Sequence, residues 1–169
     1  MLRPNAAPAL DVTHLSEGLL MASLGRVCLA LWKSKPTEQL FNVQRDQLAA
    51  AVSRAPGHEL FLCVIEPTSP PPDVELRQAS SDMINAHGAN LAGTACVIEG
   101  TGFDTAINHT VLSGIVHGIR SPSPLRFFES TASACAWLQT LAADLSAASV
   151  VEQVELARSQ LHALPAPPR

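Results

Sequence analysis

Four short apolar segments, each followed by a stretch long enough for a helix, dominate the middle of this sequence. They are residues 27–31, 60–65, 94–98 and 125–128. Strands that alternate with helices in this order pair in parallel, and the helices cover the faces of the sheet. Residues 60–65 include no polar side chain, so we expect that strand at the centre of the sheet. The alternation predicts an α/β fold with a mainly parallel mixed sheet of about five strands and helices on both faces.

Turn and cap residues indicate where further strands and helices begin and end. Residues 18–24 form a further candidate strand, and Gly25-Arg26 would join it to the strand at 27–32 as an antiparallel hairpin, with a single bent strand as the alternative. Thr37 and Asp73 stand where their side chains can cap the helices that follow. Further helices are predicted at 104–119 and 131–145.

The C-terminal region predicts one more helix, at 149–164, because its apolar residues recur at three- and four-residue spacing. We expect this stripe to be buried on the domain or on a second copy; its members include Val150, Val154, Ala157 and Leu161. The resulting division is a flexible leader at 1–12, an α/β domain at 13–145, the C-terminal helix at 146–164 and a disordered tail at 165–169.

Composition restricts the class of partner and compartment. The 169 residues suit a single core, and the net charge of −4 with no basic stripe argues against a nucleic-acid surface. The four cysteines lie in apolar segments without CxxC or zinc-like spacing, which indicates buried thiols in a reducing compartment. We find no secretory signal and no membrane span, so the expected location is the cytoplasm.

Three segments resemble the bacterial SpoIIAA-like branch of the STAS superfamily, which is sometimes described together with CRAL-TRIO lipid-transfer domains. They are Val64-Ile65-Glu66-Pro67 with the following Pro71-Pro72-Asp73 and Arg77, Cys96-Val97-Ile98-Glu99-Gly100, and Arg126-Phe127-Phe128-Glu129-Ser130 with the following Ala134-Cys135-Ala136-Trp137-Leu138. The resemblance covers about residues 15–145 and implies a STAS-like fold. Because these are mostly core and turn positions, they support a fold better than an activity.

The resemblance also points to a regulatory hydroxyl. Kinase-controlled STAS antagonists carry a phosphorylatable Ser or Thr where the helix after the central strand begins, and Thr68 and Ser69 occupy that zone here. The usual Asp-Ser-Ser/Thr-Gly run is absent, and Pro70-Pro71-Pro72 stiffens the segment. A phosphate would also lie near the like charges of Glu66 and Asp73. Ser69 and Thr68 are therefore the candidate phosphorylation sites.

Catalytic and nucleotide motifs are weak. Gly100-Thr101-Gly102 has the place of a phosphate loop, but Thr105 replaces the third glycine, so Asp104 is better interpreted as a helix cap. His109 and Ser113 are four residues apart on one helix, yet no acidic residue is placed to orient the imidazole. Surface histidines are the simpler interpretation, and we expect neither a cofactor nor a metal.

The sequence therefore predicts a non-enzymatic regulatory or scaffolding module that contacts an unidentified protein partner. Its expected contact surface comprises Thr68, Ser69, Asp73, Phe103 and Asp104, with a homodimer through the C-terminal helix as a further expectation. The alternative is a small-molecule or lipid carrier with an apolar pocket under the helix at 104–119, which should show a cavity of several hundred Å³. A small hydrolase or nucleotide-binding protein is the weaker alternative.

Overall fold

A computed structural model describes residues 8–165, except for the side chains of Phe103 and Asp104. Its elements in chain order are β1 (Leu10–Leu15), β2 (Leu19–Leu24), β3 (Val27–Trp32), α1 (Glu38–Arg54), β4 (Glu59–Ile65), α2 (Val74–His87), a 3-10 turn (Gly88–Asn90), β5 (Leu91–Ile98), α3 (Phe103–His117), β6 (Leu125–Phe128), α4 (Thr131–Leu141) and α5 (Ala147–His162).

One mixed sheet organises the described chain, in the spatial order β1-β2-β3-β4-β5-β6. The first three strands are antiparallel, and β3 to β6 are parallel. The apolar strand β4 lies between β3 and β5, as the absence of polar alternation predicts. The predicted fold class is confirmed, and the element order is the one that the STAS resemblance implies.

Strand β1 is the sixth strand, and it begins inside the predicted leader. Leu10 and Val12 pack on the core while Asp11 and Thr13 face outward, so the alternation typical of a half-covered strand is present. The Pro- and Ala-rich residues upstream obscure this short pattern, and a leader that extends to residue 12 is wrong at its last three residues. The β1–β2 register shifts between Val12 and His14, which places a bulge in the strand.

The predicted hairpin joins β2 to β3. Leu24 pairs with Val27, so two residues make the turn, and Gly25 has a φ of 64°. Glycine adopts this left-handed conformation without the clash that a Cβ would cause. The alternative of a single bent strand is therefore excluded.

Two apolar cores lie on opposite faces of the sheet. On one face α4 and α5 cover alternate side chains of β2 to β5, and the predicted stripe Val150, Val154, Ala157 and Leu161 is fully buried there. On the other face α1, α2 and α3 cover the intervening side chains. The apolar face of α5 thus contacts its own sheet, and a homodimer through this helix would have to use its outer side.

The helix boundaries test the predicted caps. The Thr37 and Asp73 side chains accept hydrogen bonds from the N–H groups of Leu40 and Leu76, as predicted. The cap of α3 is instead Gly102, with a φ of 105°, so Asp104 lies inside the helix and its interpretation as the cap is wrong. Helix α4 ends at Leu141 rather than residue 145, because the backbone of Ala142 is extended.

Candidate functional site

An apolar cavity of about 100 Å³ lies between the sheet and the layer formed by α1, α2 and α3. The sheet provides its floor, since alternate residues of β4, namely Phe61, Cys63 and Ile65, point to the same face. Its lining is apolar apart from a few uncharged polar side chains. The described residues that line it are Trp32, Pro36, Phe41, Gln44, Phe61, Cys63, Ile65, Ser69, Pro70, Pro72, Ser80, Met83, Ile84, Thr94, Cys96, Asn108, Leu112, Ile115, Ile119, Leu125 and Phe127.

Helix α3 forms the roof of the cavity through a narrow stripe. Asn108, Leu112 and Ile115 recur at three- and four-residue spacing and are buried, whereas the opposite side of the helix faces solvent. This is the place where the carrier hypothesis expects an apolar pocket. The volume is smaller than the several hundred Å³ expected for a carrier.

Two amides in the cavity wall are held by hydrogen bonds. The Oε1 atom of Gln44 accepts from the indole N–H of Trp32 at 2.7 Å, and its Nε2 donates to the Sδ atom of Met83 at 3.8 Å. Asn108 Nδ2 donates to the carbonyl of Ser69 at 3.2 Å. These bonds fix the wall and leave an interior suited to an uncharged ligand.

The predicted contact loop lies beside this cavity and is tied to the loop after β3. Thr68 Oγ1 donates to the carbonyl of Lys33 at 2.8 Å, and Ser69 Oγ donates to the carbonyl of Ser34 at 2.9 Å. Thr68 and Asp73 are exposed, whereas Ser69 is only 1% exposed and lines the cavity. Ser69 therefore belongs to the inside of the loop, and a kinase would reach its hydroxyl only after the loop opens.

The other two predicted contact residues, Phe103 and Asp104, open α3 next to Gly102. Their backbone is described, and their side chains lie outside the described residues. The chain thus brings the start of α3 and the loop at 67–73 to the same carboxyl edge of the sheet. The contact of Asn108 with Ser69 joins the two segments directly.

His109 and Ser113, the candidate catalytic pair on α3, are not arranged as a nucleophile and its base. Ser113 is exposed, and its carbonyl, not its hydroxyl, contacts the ring of His117 at 3.0 Å. Among the hydrogen bonds of the described residues none joins His109 to Ser113. Side chains four residues apart can meet on a helix, but this pair is not hydrogen-bonded here.

A charged cluster that the sequence analysis did not predict lies at the same edge of the sheet. Glu66 and Glu99 follow the last residues of β4 and β5, and these residues are register partners, so the two carboxylates stand side by side. Arg158 Nη1 contacts Glu66 Oε1 at 2.6 Å and Glu99 Oε2 at 2.9 Å, and Nη2 contacts Glu99 Oε1 at 2.7 Å. His162 Nε2 lies 2.8 Å from Glu66 Oε2. We call these four residues the edge cluster.

The hydrogen bonds and ion pairs of the edge cluster attach α5 to the sheet. Arg158 and His162 are four residues apart on α5, so both reach the same side. Burial lowers the pKa of the Arg158 guanidinium, but the hydrogen bond and charge of Glu99 outweigh it, and the net pKa lies above its ordinary value. A fork-to-carboxylate contact of this kind fixes both position and orientation.

A sequence signal for half of this cluster exists. The residues Val-Ile-Glu end both paired strands, followed by Pro67 in one case and Gly100 in the other. Two carboxylates at the ends of adjacent parallel strands lie side by side and repel each other, so a cation is expected between them. No residue near Glu66 or Glu99 in the sequence indicates which cation this is, because Arg158 is 59 residues from Glu99 in the chain.

Comparisons with known proteins add little beyond the fold. No family model and no curated protein matches this chain. A solved structure from Shewanella loihica PV-4, described as an uncharacterized protein from the DUF3478 family with a SpoIIAA-like fold, is similar to it. The two are 16% identical with a TM-score of 0.47, over 82% of this chain and 99% of the other. The chain's own element order and sheet topology carry the STAS-like assignment.

Within residues 8–165 no helix combines the length and the apolar character that a membrane crossing needs.

Proposed function

We propose that this chain is a non-enzymatic module that binds a small uncharged apolar molecule in the cavity under α3. The observation that carries the proposal is this partly open apolar pocket, because small-molecule sites are typically concave and mostly apolar with a few polar groups. The described residues of its lining offer apolar contacts and include no charged side chain. The ligand class is therefore defined by shape and by the absence of charge.

The size of the cavity limits the ligand. An apolar cavity of about 150 Å³ is large enough to bind benzene in another protein. The cavity here is smaller, at about 100 Å³, so a molecule of about one ring is the upper limit of what it can hold without moving its walls. A longer lipid chain requires α3 to move outward, and α3 is the roof element with the narrowest buried stripe.

Filling the cavity tests this function. Leu112 lies on the cavity side of α3, so Leu112→Trp directs a larger side chain into the void. Ser113→Trp puts the same side chain on the exposed side of the same helix. We expect toluene at ten times its Kd to stabilise the wild-type chain and Ser113→Trp by about 1.4 kcal/mol and to leave Leu112→Trp unchanged. Thermal unfolding with and without toluene measures this.

The outcome that contradicts the proposal is equal stabilisation of all three proteins, or no stabilisation of the wild type by toluene or other one-ring probes. Should Leu112→Trp fail to fold, Ser80→Leu fills the same cavity from α2. Native mass spectrometry of the purified chain would then identify a co-purified ligand.

Protein contact at the carboxyl edge is the second candidate function, and the exposure of Val74 favours it. This valine is 71% exposed directly after Asp73, at the end of the proline-stiffened loop. A rigid loop with an exposed apolar side chain loses little conformational entropy when it binds a partner. In this case the chain acts as a regulatory or scaffolding module, with Thr68 and Asp73 flanking the contact.

Val74→Asp tests the contact surface without weakening the fold, because an acidic residue in the first turn of α2 interacts favourably with the helix dipole. We expect affinity purification from the native cell to recover a specific protein with the wild type and about tenfold less with Val74→Asp. The matched control is Leu156→Asp, at an exposed leucine of α5. Equal recovery with Val74→Asp and the wild type contradicts this candidate.

A further inference from the structure

The hydroxyl and amide groups in the described wall of the cavity are, with one exception, hydrogen-bonded within the chain. The amides of Gln44 and Asn108 take part in the bonds that fix the wall. The hydroxyls of Ser69 and Ser80 each donate to a backbone carbonyl, at 2.9 and 2.7 Å. The exception is Thr94, whose hydroxyl has no hydrogen-bond partner within residues 8–165.

Thr94 belongs to the floor of the cavity. It lies on β5, and its register partners are Phe61 on β4 and Leu125 on β6. Register partners direct their side chains to the same face of a sheet, and all three residues line the cavity. The Thr94 hydroxyl is therefore flanked by an aromatic ring and an aliphatic side chain.

The Thr94 hydroxyl is buried but borders open space. The residue is 4% exposed. In the described chain, the side-chain oxygens that are fully enclosed and have no partner belong to Glu59 and Ser123. The Thr94 oxygen also has no partner, so it differs from these two in having space beside it, and that space is the cavity.

An unpaired hydroxyl beside this space selects the polar group of a ligand. A hydrocarbon in the cavity covers the Thr94 hydroxyl with apolar atoms and leaves it without a hydrogen bond, which is unfavourable for a buried polar group. A ligand hydroxyl at the same place pairs with it, since each can both donate and accept. An ionised group is disfavoured, because the described lining includes no charged side chain to compensate it.

We propose that the ligand of this cavity is a one-ring molecule with an uncharged hydroxyl, of the phenol class, and that Thr94 selects it. This inference rests on the function proposed above and adds a polar group to the ligand's size limit. The ring lies against Phe61 and Leu125, and the hydroxyl forms a hydrogen bond with Thr94 Oγ1. A phenol hydroxyl, whose pKa like that of tyrosine is about 10, keeps its proton at neutral pH, so no charge enters the cavity.

A closed cycle of two ligands and two proteins tests the role of Thr94. Phenol has a hydroxyl where toluene has a methyl group, and threonine differs from valine in the same way, so the cycle isolates the contact between the two hydroxyls. Isothermal titration calorimetry gives the four dissociation constants. We expect Thr94→Val to weaken phenol binding at least about fivefold, the value of one ordinary hydrogen bond, and not to weaken toluene binding. Thr94→Ser, which keeps the hydroxyl, should retain phenol binding.

The matched control is Thr110→Val, which makes the same change on the exposed side of α3 and should bind both ligands as the wild type does. An equal effect of Thr94→Val on phenol and toluene, or weaker phenol binding in Thr110→Val, would overturn the role of Thr94 and leave the cavity as a ligand site. Failure of the wild type to bind either molecule would contradict the proposed function as well.

The stability of Thr94→Val is an independent measurement. Because the hydroxyl that it removes has no partner in the described chain, urea unfolding should show no loss of stability relative to the wild type. A clear loss, or failure to fold, would mean that the hydroxyl is bonded within the protein, against the proposal. A crystal structure of the wild type with phenol needs no variant: a phenol oxygen about 2.8 Å from Thr94 Oγ1 supports the proposal, and any other position of that oxygen refutes it.

Discussion

At the scale of single residues, Glu59 is a buried acid at the amino end of the central strand. It is 4% exposed, and its Oε1 atom has no hydrogen-bond partner among the described residues. Burial raises the pKa of this carboxyl to about 7, although the charges of Arg54 and Arg26 act in the opposite direction. The folded chain therefore holds this proton more tightly than the unfolded chain does.

This linkage predicts a loss of stability towards alkaline pH. A raised folded-state pKa gives a contribution that is complete below the unfolded pKa and lost as pH rises through about 7. The shift corresponds to roughly 3 kcal/mol. We expect the wild type to lose part of this between about pH 5 and pH 8, and Glu59→Gln to lose much less.

Urea unfolding across that pH range measures the difference. Glu152→Gln, at an exposed position of α5, is the control and should follow the wild-type curve. Parallel curves for the wild type and Glu59→Gln would show that the carboxyl keeps its ordinary pKa in the folded chain.

At the scale of elements, α5 and α3 contact the sheet in different ways. Helix α5 buries a full apolar stripe and adds the edge cluster at its C-terminal half, where Arg158 lies between Glu66 and Glu99. Helix α3 contacts the sheet over the cavity through a short stripe that includes Leu112 and Ile115. We therefore expect α5 to be the more firmly attached of the two.

Removing the guanidinium tests how α5 is fastened. In Arg158→Met the aliphatic part of the side chain is kept, but Glu66, whose side chain is 4% exposed, stays beside Glu99 with only the contact to His162 and without the guanidinium. Leaving one partner of a buried ion pair uncompensated costs roughly 3 kcal/mol. Urea unfolding should show a loss of this size. Arg45→Met, which removes an exposed pair with Asp46, should cost less than about 1 kcal/mol.

A loss in Arg158→Met no greater than that in Arg45→Met would mean that the edge cluster adds nothing to the attachment of α5. Hydrogen exchange supplies an independent measurement, because detachment should raise exchange across α5 before it raises exchange in β4.

At the scale of the whole molecule, the features that can be predicted from the sequence are those that a local pattern of residues determines. Strands β3 to β6 follow from their continuous apolar segments, the stripe of α5 follows from its helical periodicity, and the caps at Thr37 and Asp73 follow from side-chain chemistry. Strand β1 was missed because its alternation is short and follows a Pro- and Ala-rich segment. The edge cluster depends on residues brought together from distant parts of the chain. The cavity volume depends on how closely α3 approaches the sheet, which periodicity does not specify.

The bulge in β1 makes edge-to-edge pairing between molecules less favourable. Strands β1 and β6 are the two borders of the sheet, and a straight border displays free amide and carbonyl groups that a strand of another molecule can pair with. The irregularity between Val12 and His14 interrupts that row, and Asp11 lies exposed beside it. Along β1, this border is therefore a poor template for fibril growth even when the protein is concentrated.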